Sequence, residues 1–126
     1  MTTGISELYV HPSSAETAAT GAPEFDTTLI QSVALDITVS ALTGGTAPTI
    51  TFFLERLGLD GKWYPIFSPT AVSAPGTISA DIGAFSLAVA TATHAVFTKK
   101  ARLRWAFGGT ANPTSVTFSA SIVGRS

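Results

Sequence analysis

From Leu29 to Leu42 the chain alternates, with Val33, Leu35, Ile37 and Val39 on one side and Ala34, Asp36, Thr38 and Ser40 on the other. A period of two marks a strand that buries one face and wets the other. The same alternation returns in Ile50, Phe52 and Leu54, in Ile78, Ala80 and Ile82, in Leu103, Trp105 and Phe107, and in Val116, Phe118, Ala120 and Ile122. Turn chemistry separates these runs. Thr43-Gly44-Gly45-Thr46-Ala47-Pro48 interrupts the first pair, Asp60-Gly61 predicts a hairpin into Trp63–Phe67, and Pro75-Gly76 precedes the run at 77–82. No stretch carries a helical period. Short alternating strands between Gly/Pro turns predict an all-β chain, an antiparallel β-sandwich or jelly-roll-like fold.

Two regions break the pattern. Residues 1–28 begin with the brief alternation Ile5–Val10 and continue through His11-Pro12 into a run of small residues. They read as an extended N-terminal arm or long loop ahead of a single sandwich domain over 29–126. Residues 83–97 are open between a strand, a helical turn and a contact loop; they are too short and too polar to span a bilayer. The N-terminal Met1-Thr2-Thr3-Gly4 has neither the basic residues nor the apolar core of a secretory leader. One internal echo links Gly44-Gly45-Thr46-Ala47-Pro48-Thr49-Ile50-Thr51-Phe52 with Gly108-Gly109-Thr110-Ala111-Asn112-Pro113-Thr114-Ser115-Val116-Thr117-Phe118. It reads either as two equivalent hairpins at one end of the sandwich or as recurrent turn-then-strand chemistry.

Composition then narrows the functional classes. A chain of 126 residues fits one domain that needs no disulfide or metal staple, and it contains no cysteine. Only 12% of residues are charged against 45% hydrophobic, about half the usual charged share. Such a surface suits either a protein that covers part of itself with a partner or a compact Ala/Thr-rich β domain that is simply sparsely charged. The charges are also ordered: residues 1–55 hold six acids and no base, and 56–126 hold seven bases and two acids. Acid-first and base-last halves pair either within the domain or between neighbouring copies. The candidate contact residues are therefore Glu7, Tyr9, Glu24 and Asp26 in the first segment, and Lys99, Lys100, Arg102 and Arg104 in the later one. Trp63 and Tyr64 join them, because they point opposite ways on one strand and only one can be buried.

Catalytic equipment is not evident. His11 and His94 are far apart and read as isolated surface or interface histidines, without the clustering that metal ligation needs. No Gly-x-Ser-x-Gly elbow and no phosphate-cradling glycine motif occurs. Glu24 and Asp26 flank Phe25 and point to one side of an extended segment, where they read as a solvated or interface pair. The row Lys100, Arg102, Arg104 is short and lies in a chain of net charge −1, which argues against a nucleic-acid partner. No enzyme activity, cofactor or metal is expected.

The stretch Ile37–Arg56, followed by Gly61-Lys62-Trp63-Tyr64 and by Ala101-Arg102-Leu103-Arg104-Trp105-Ala106-Phe107-Gly108-Gly109-Thr110, resembles small β-sandwich virion proteins of tailed phages. The resemblance spans about residues 33–123 and consists of turn-and-strand patterns. It implies a capsid decoration or cement protein on the virion surface that bridges capsomers, with the major capsid protein and further copies of itself, a trimer above all, as partners. It brings no catalytic residues, and neither nucleic acid nor membrane is an expected partner. The alternatives are a tail or head-fibre module and a carbohydrate-binding sandwich using Trp63 or Tyr64 on a glycan.

Overall fold

The alternating runs form two packed sheets in the computed structural model, which describes residues 5–17, 23–83, 92–94, 96–108 and 115–126, the backbone alone for 92–94. The strands are β1 (Ile5–Glu16), β2 (Glu24–Asp26), β3 (Ser32–Thr43), β4 (Thr49–Leu57), β5 (Trp63–Phe67), β6 (Gly76–Gly83), β7 (Ala92–His94), β8 (Lys100–Gly108) and β9 (Ser115–Arg125). One sheet has the order β1-β9-β3-β6-β7 and the other β2-β8-β4-β5. Among the described residues every strand pairing is antiparallel except the short β6–β7 contact. The fold is an all-β sandwich, as the periodicity predicts. Of the open segment at 83–97, residues 92–94 form a strand, and 84–91 lie outside the described residues.

The inward faces are those the alternation marks. Val33, Leu35, Ile37 and Val39 of β3 meet Ile50, Phe52 and Leu54 of β4, with Leu103 and Trp105 of β8 and Val116, Phe118 and Ile122 of β9 completing the core. Phe118 takes the centre. Its ring meets Phe52 edge-on at 5.1 Å and Trp105 edge-on at 5.1 Å, geometries that suit the aromatic quadrupole.

The internal echo has a topological meaning, but not as hairpins. β3 lies in the five-stranded sheet and β4 in the other; β8 and β9 reverse that crossing. Thr43 pairs with Ser115 and Thr49 with Gly108, so both crossings occur side by side at one end. A hairpin would keep both strands in one sheet. Gly44 and Gly45 supply the positive φ of 82° and 70° that the first crossing needs. The second crossing, at 109–114, lies outside the described residues. The echoed pairs Ile50/Phe52 and Val116/Phe118 are fully buried and face each other across the core.

The segment that reads as an arm is drawn into the sheets along much of its length. β1 pairs with β9 as an edge strand from Ile5↔Arg125 to Glu16↔Val116, and β2 pairs with the start of β8. Its alternation is hidden because the register shifts twice, between Glu7 and Tyr9 and between His11 and Ser14. Pro12, which has no N–H to give a ladder, sits inside the second shift. Tyr9 stacks on Phe25 of β2 at 6.4 Å and so closes the open side between the sheets. His11 is buried, contrary to its reading as a surface or interface histidine. Its ring stacks on Phe118 at 4.1 Å, Nδ1 lies 3.1 Å from the Phe118 carbonyl oxygen, and Nε2 lies 2.7 Å from a Glu16 carboxylate oxygen. Buried polar groups need partners, and the Phe118 carbonyl and the Glu16 carboxylate stand at the two ring nitrogens.

The junction of β3 and β6 leaves no room for a side chain at Gly83. A Cβ there would stand 2.4 Å from the Gln31 carbonyl oxygen and 2.6 Å from the Ser32 Cα. Both obstacles are backbone and cannot swing aside. Gly83→Ala is expected to lower stability by about 2 kcal/mol or more in urea unfolding, the scale of forced overpacking.

Candidate functional site

The outward face of the four-stranded sheet collects side chains that are far apart in sequence. On β8, Lys100, Arg102 and Arg104 alternate with the buried Ala101, Leu103 and Trp105. The β4–β8 register sets Glu55 opposite Arg102 and Phe53 opposite Arg104, while β2 sets Glu24 opposite Arg102 and Asp26 opposite Lys100. On the far side of β4, Trp63 pairs with Leu57 at the start of β5.

At the centre is a carboxylate with little access to water: the Glu55 side chain is 7% exposed. Arg102 donates Nε–H to Oε1 at 2.8 Å; Arg104 donates Nε–H to Oε1 at 3.2 Å and an Nη2 hydrogen to Oε2 at 3.4 Å. Each guanidinium also lies on an aromatic plate, Arg102 at 4.4 Å from the Trp63 ring centre and Arg104 at 4.0 Å from that of Phe53. These contacts fix two long side chains that would otherwise sample many rotamers. Burial alone pushes the Glu55 carboxyl upward. The hydrogen bonds and charges of Arg104 and Arg102 outweigh that push and hold it below the usual carboxylate value.

Around this centre the rim is looser. Lys100 and Glu24 lie 3.8 Å apart, both half exposed, a pair worth roughly 0–1 kcal/mol. Asp26 accepts the Thr28 backbone N–H at 2.8 Å, which holds its carboxyl below the ordinary range. With Glu24, Asp26 and Glu55 against Lys100, Arg102 and Arg104, the face is balanced rather than a bare cationic row. Among the described residues, the two Nη groups of Arg102 have no protein acceptor.

Six of the ten residues singled out from the sequence therefore share this face: Glu24, Asp26, Trp63, Lys100, Arg102 and Arg104. The other four do not. Tyr64 points the other way along β5, hydrogen-bonds the Asp60 carboxylate and covers Gly58, whose hydrogen faces the ring where a Cβ would be 2.6 Å away. Lys99 precedes β8. Glu7 lies exposed on β1, in the other sheet, and Tyr9 is half-buried against the core. Glu55 and Phe53, the anchor and one plate, escaped the sequence reading. Both fall on the outward side of the β4 alternation, and only the strand register brings them to the arginines.

Chemically, the arrangement orders charge and aromatic surface for contact. The buried carboxylate is held ionised between two cations rather than poised to exchange a proton. Among the described residues no group of three or more His, Asp or Glu is placed to hold a metal ion. No protein-family model, curated protein or solved structure matches this chain.

The depressed Glu55 carboxyl sets a pH dependence. Its contribution to stability is present above the ordinary carboxylate range, about pH 4.5, and is lost as pH falls through its lower folded value. Glu55→Gln is expected to cost about 2 kcal/mol at pH 7, the scale of charge-assisted hydrogen bonds. In chemical denaturation the gap between variant and parent should narrow from pH 7 to pH 3; a constant gap would contradict the assignment.

Proposed function

We propose that this chain is a structural binding module, a capsid decoration or cement protein of a tailed phage, which presents the outward face of β2-β8-β4-β5 to the major capsid protein. The observation that carries the reading is the pair of arginines fixed between Glu55 and the rings of Trp63 and Phe53. Contact energy at protein interfaces concentrates in Trp, Tyr and Arg. Side chains already ordered in the free protein lose less entropy when they dock.

Two further features favour a protein partner. The charges of the face balance, whereas phosphate polymers are held by an excess of unpaired cations. A guanidinium lies over the Trp63 ring and Tyr64 is committed to its own hairpin, so neither offers the bare plate that stacks on a sugar. The sparse charge of the whole chain and the resemblance to phage virion proteins support the shell as the place of assembly.

The direct test mixes the purified chain with tailed-phage shells stripped of accessory proteins and follows binding by sedimentation. Saturable binding is expected, with Trp63→Ala weakening it by roughly thirtyfold, a shift typical of a central aromatic contact, while its circular dichroism spectrum matches the parent. Absence of saturable binding overturns the reading, all the more if the chain binds a glycan array.

A further inference from the structure

Of the six large apolar side chains left exposed among the described residues, four lie at one end of the sandwich. Ile5, Leu29, Leu59 and Val96 are each at least 72% exposed. This is the end opposite the two sheet crossings, where β1 begins, β9 ends, and the β2–β3 and β4–β5 loops turn. Hydrogen bonds tie these loops together: Gln31 N–H to the Arg125 carbonyl at 2.8 Å, Thr27 N–H to the Lys99 carbonyl at 3.0 Å, and the Thr98 hydroxyl to the Leu57 carbonyl at 2.6 Å.

Two of the four stand on tight turns. Leu59 is fully exposed at the tip of the Gly58–Gly61 turn, which is closed by Gly61 N–H on the Gly58 carbonyl at 3.0 Å. Gly61 takes φ +81°, and Asp60 braces the turn by accepting the Lys62 N–H and the Tyr64 hydroxyl. Leu29 occupies the turn closed by Ile30 N–H on the Thr27 carbonyl, at φ +69°. Glycine or asparagine normally takes that position, because a side chain there strains the backbone. Packing within the chain does not account for the leucine, which is 83% exposed. Beside it opens a cavity of about 700 Å³ whose apolar wall is Leu29, Ile30 and Phe97 and whose polar lining includes Thr98, Lys99 and Ser126.

We propose that a second copy of this chain docks at this end, a two-fold contact in place of the trimer that the resemblance implies, with Leu59 of each copy seated in the cavity of the other. A rigid apolar knob and a mostly apolar socket at the same end are what a two-fold contact requires, since each copy offers both halves. The charges agree: Asp60 stands beside the knob and Lys99 on the lip of the socket, so the two-fold sets an Asp60 against a Lys99 twice. Leu29 then forms part of the socket wall, which gives its strained turn a role. This inference rests on the end of the sandwich and not on the outward face of the four-stranded sheet, so each stands or falls separately.

Sedimentation velocity of the full chain tests it, with Leu59→Asp and Leu29→Gly as variants at sites too exposed to be needed for folding. The parent is expected to form a dimer. Leu59→Asp should weaken it about a hundredfold, the scale of losing a buried leucine. Leu29→Gly should weaken association about tenfold yet raise the melting temperature of the monomer, opposite signs that a purely structural role does not produce. Carbodiimide treatment of the dimer should join Asp60 of one copy to Lys99 of another in a mixture of isotope-labelled and unlabelled chains. A parent that stays monomeric up to about 1 mM, or a dimer indifferent to Leu59→Asp, overturns the proposal.

Discussion

Glu55 has to remain ionised where water scarcely reaches it, and the outward face of the four-stranded sheet is organised around that demand. An isolated carboxylate in such a place would cost several kcal/mol of lost hydration. Two guanidiniums meet the cost, and they must lie flat and close to do so. Trp63 and Phe53 are the plates that keep them flat. The arginines are thereby held against the sheet while still partly exposed, and their shape is fixed. A surface that the sequence presents as a short basic row becomes a neutral, rigid relief of guanidinium and ring.

That face depends in turn on register. Glu55 meets Arg102 only because β4 and β8 pair as they do, and this pairing is set by the crossings at the other end. β3 enters β4 beside the point where β8 leaves for β9, with Thr49 against Gly108 and Thr43 against Ser115. A slip of β4 by one residue would turn Phe52 away from Phe118 and out of the core, and Glu55 into it. The apolar contact of the two phenylalanines and the polar contact of Glu55 thus enforce the same alignment from opposite faces of the sheet.

How much of this could be read from the residues differs from element to element. The alternation of β3, β4, β8 and β9 names every core side chain they contribute except Ala101, since a period of two is a local property; Phe107, which it also marks, is only half-buried. β1 does not show as a strand in the sequence because two bulges and Pro12 break its period, and the burial of His11 is hidden with it. The charge order left open whether the halves pair within the domain or between copies. Glu55 with Arg102 and Arg104, and Glu24 with Lys100, pair within it. Which acid meets which base is a matter of strand neighbours, and sequence distance does not encode neighbours. The exposed end was legible only as a low charge content, because Leu29 and Leu59 look like core residues until the turns that expose them are seen.

The proposed contact puts a protein shell against the outward face of β2-β8-β4-β5. A cryo-EM map of the chain bound to its shell tests this most directly. Shell density is expected against Trp63, Arg102 and Arg104, with both guanidiniums still on Glu55. Density against the five-stranded sheet, with the Arg102 and Trp63 surface open to solvent, would contradict it.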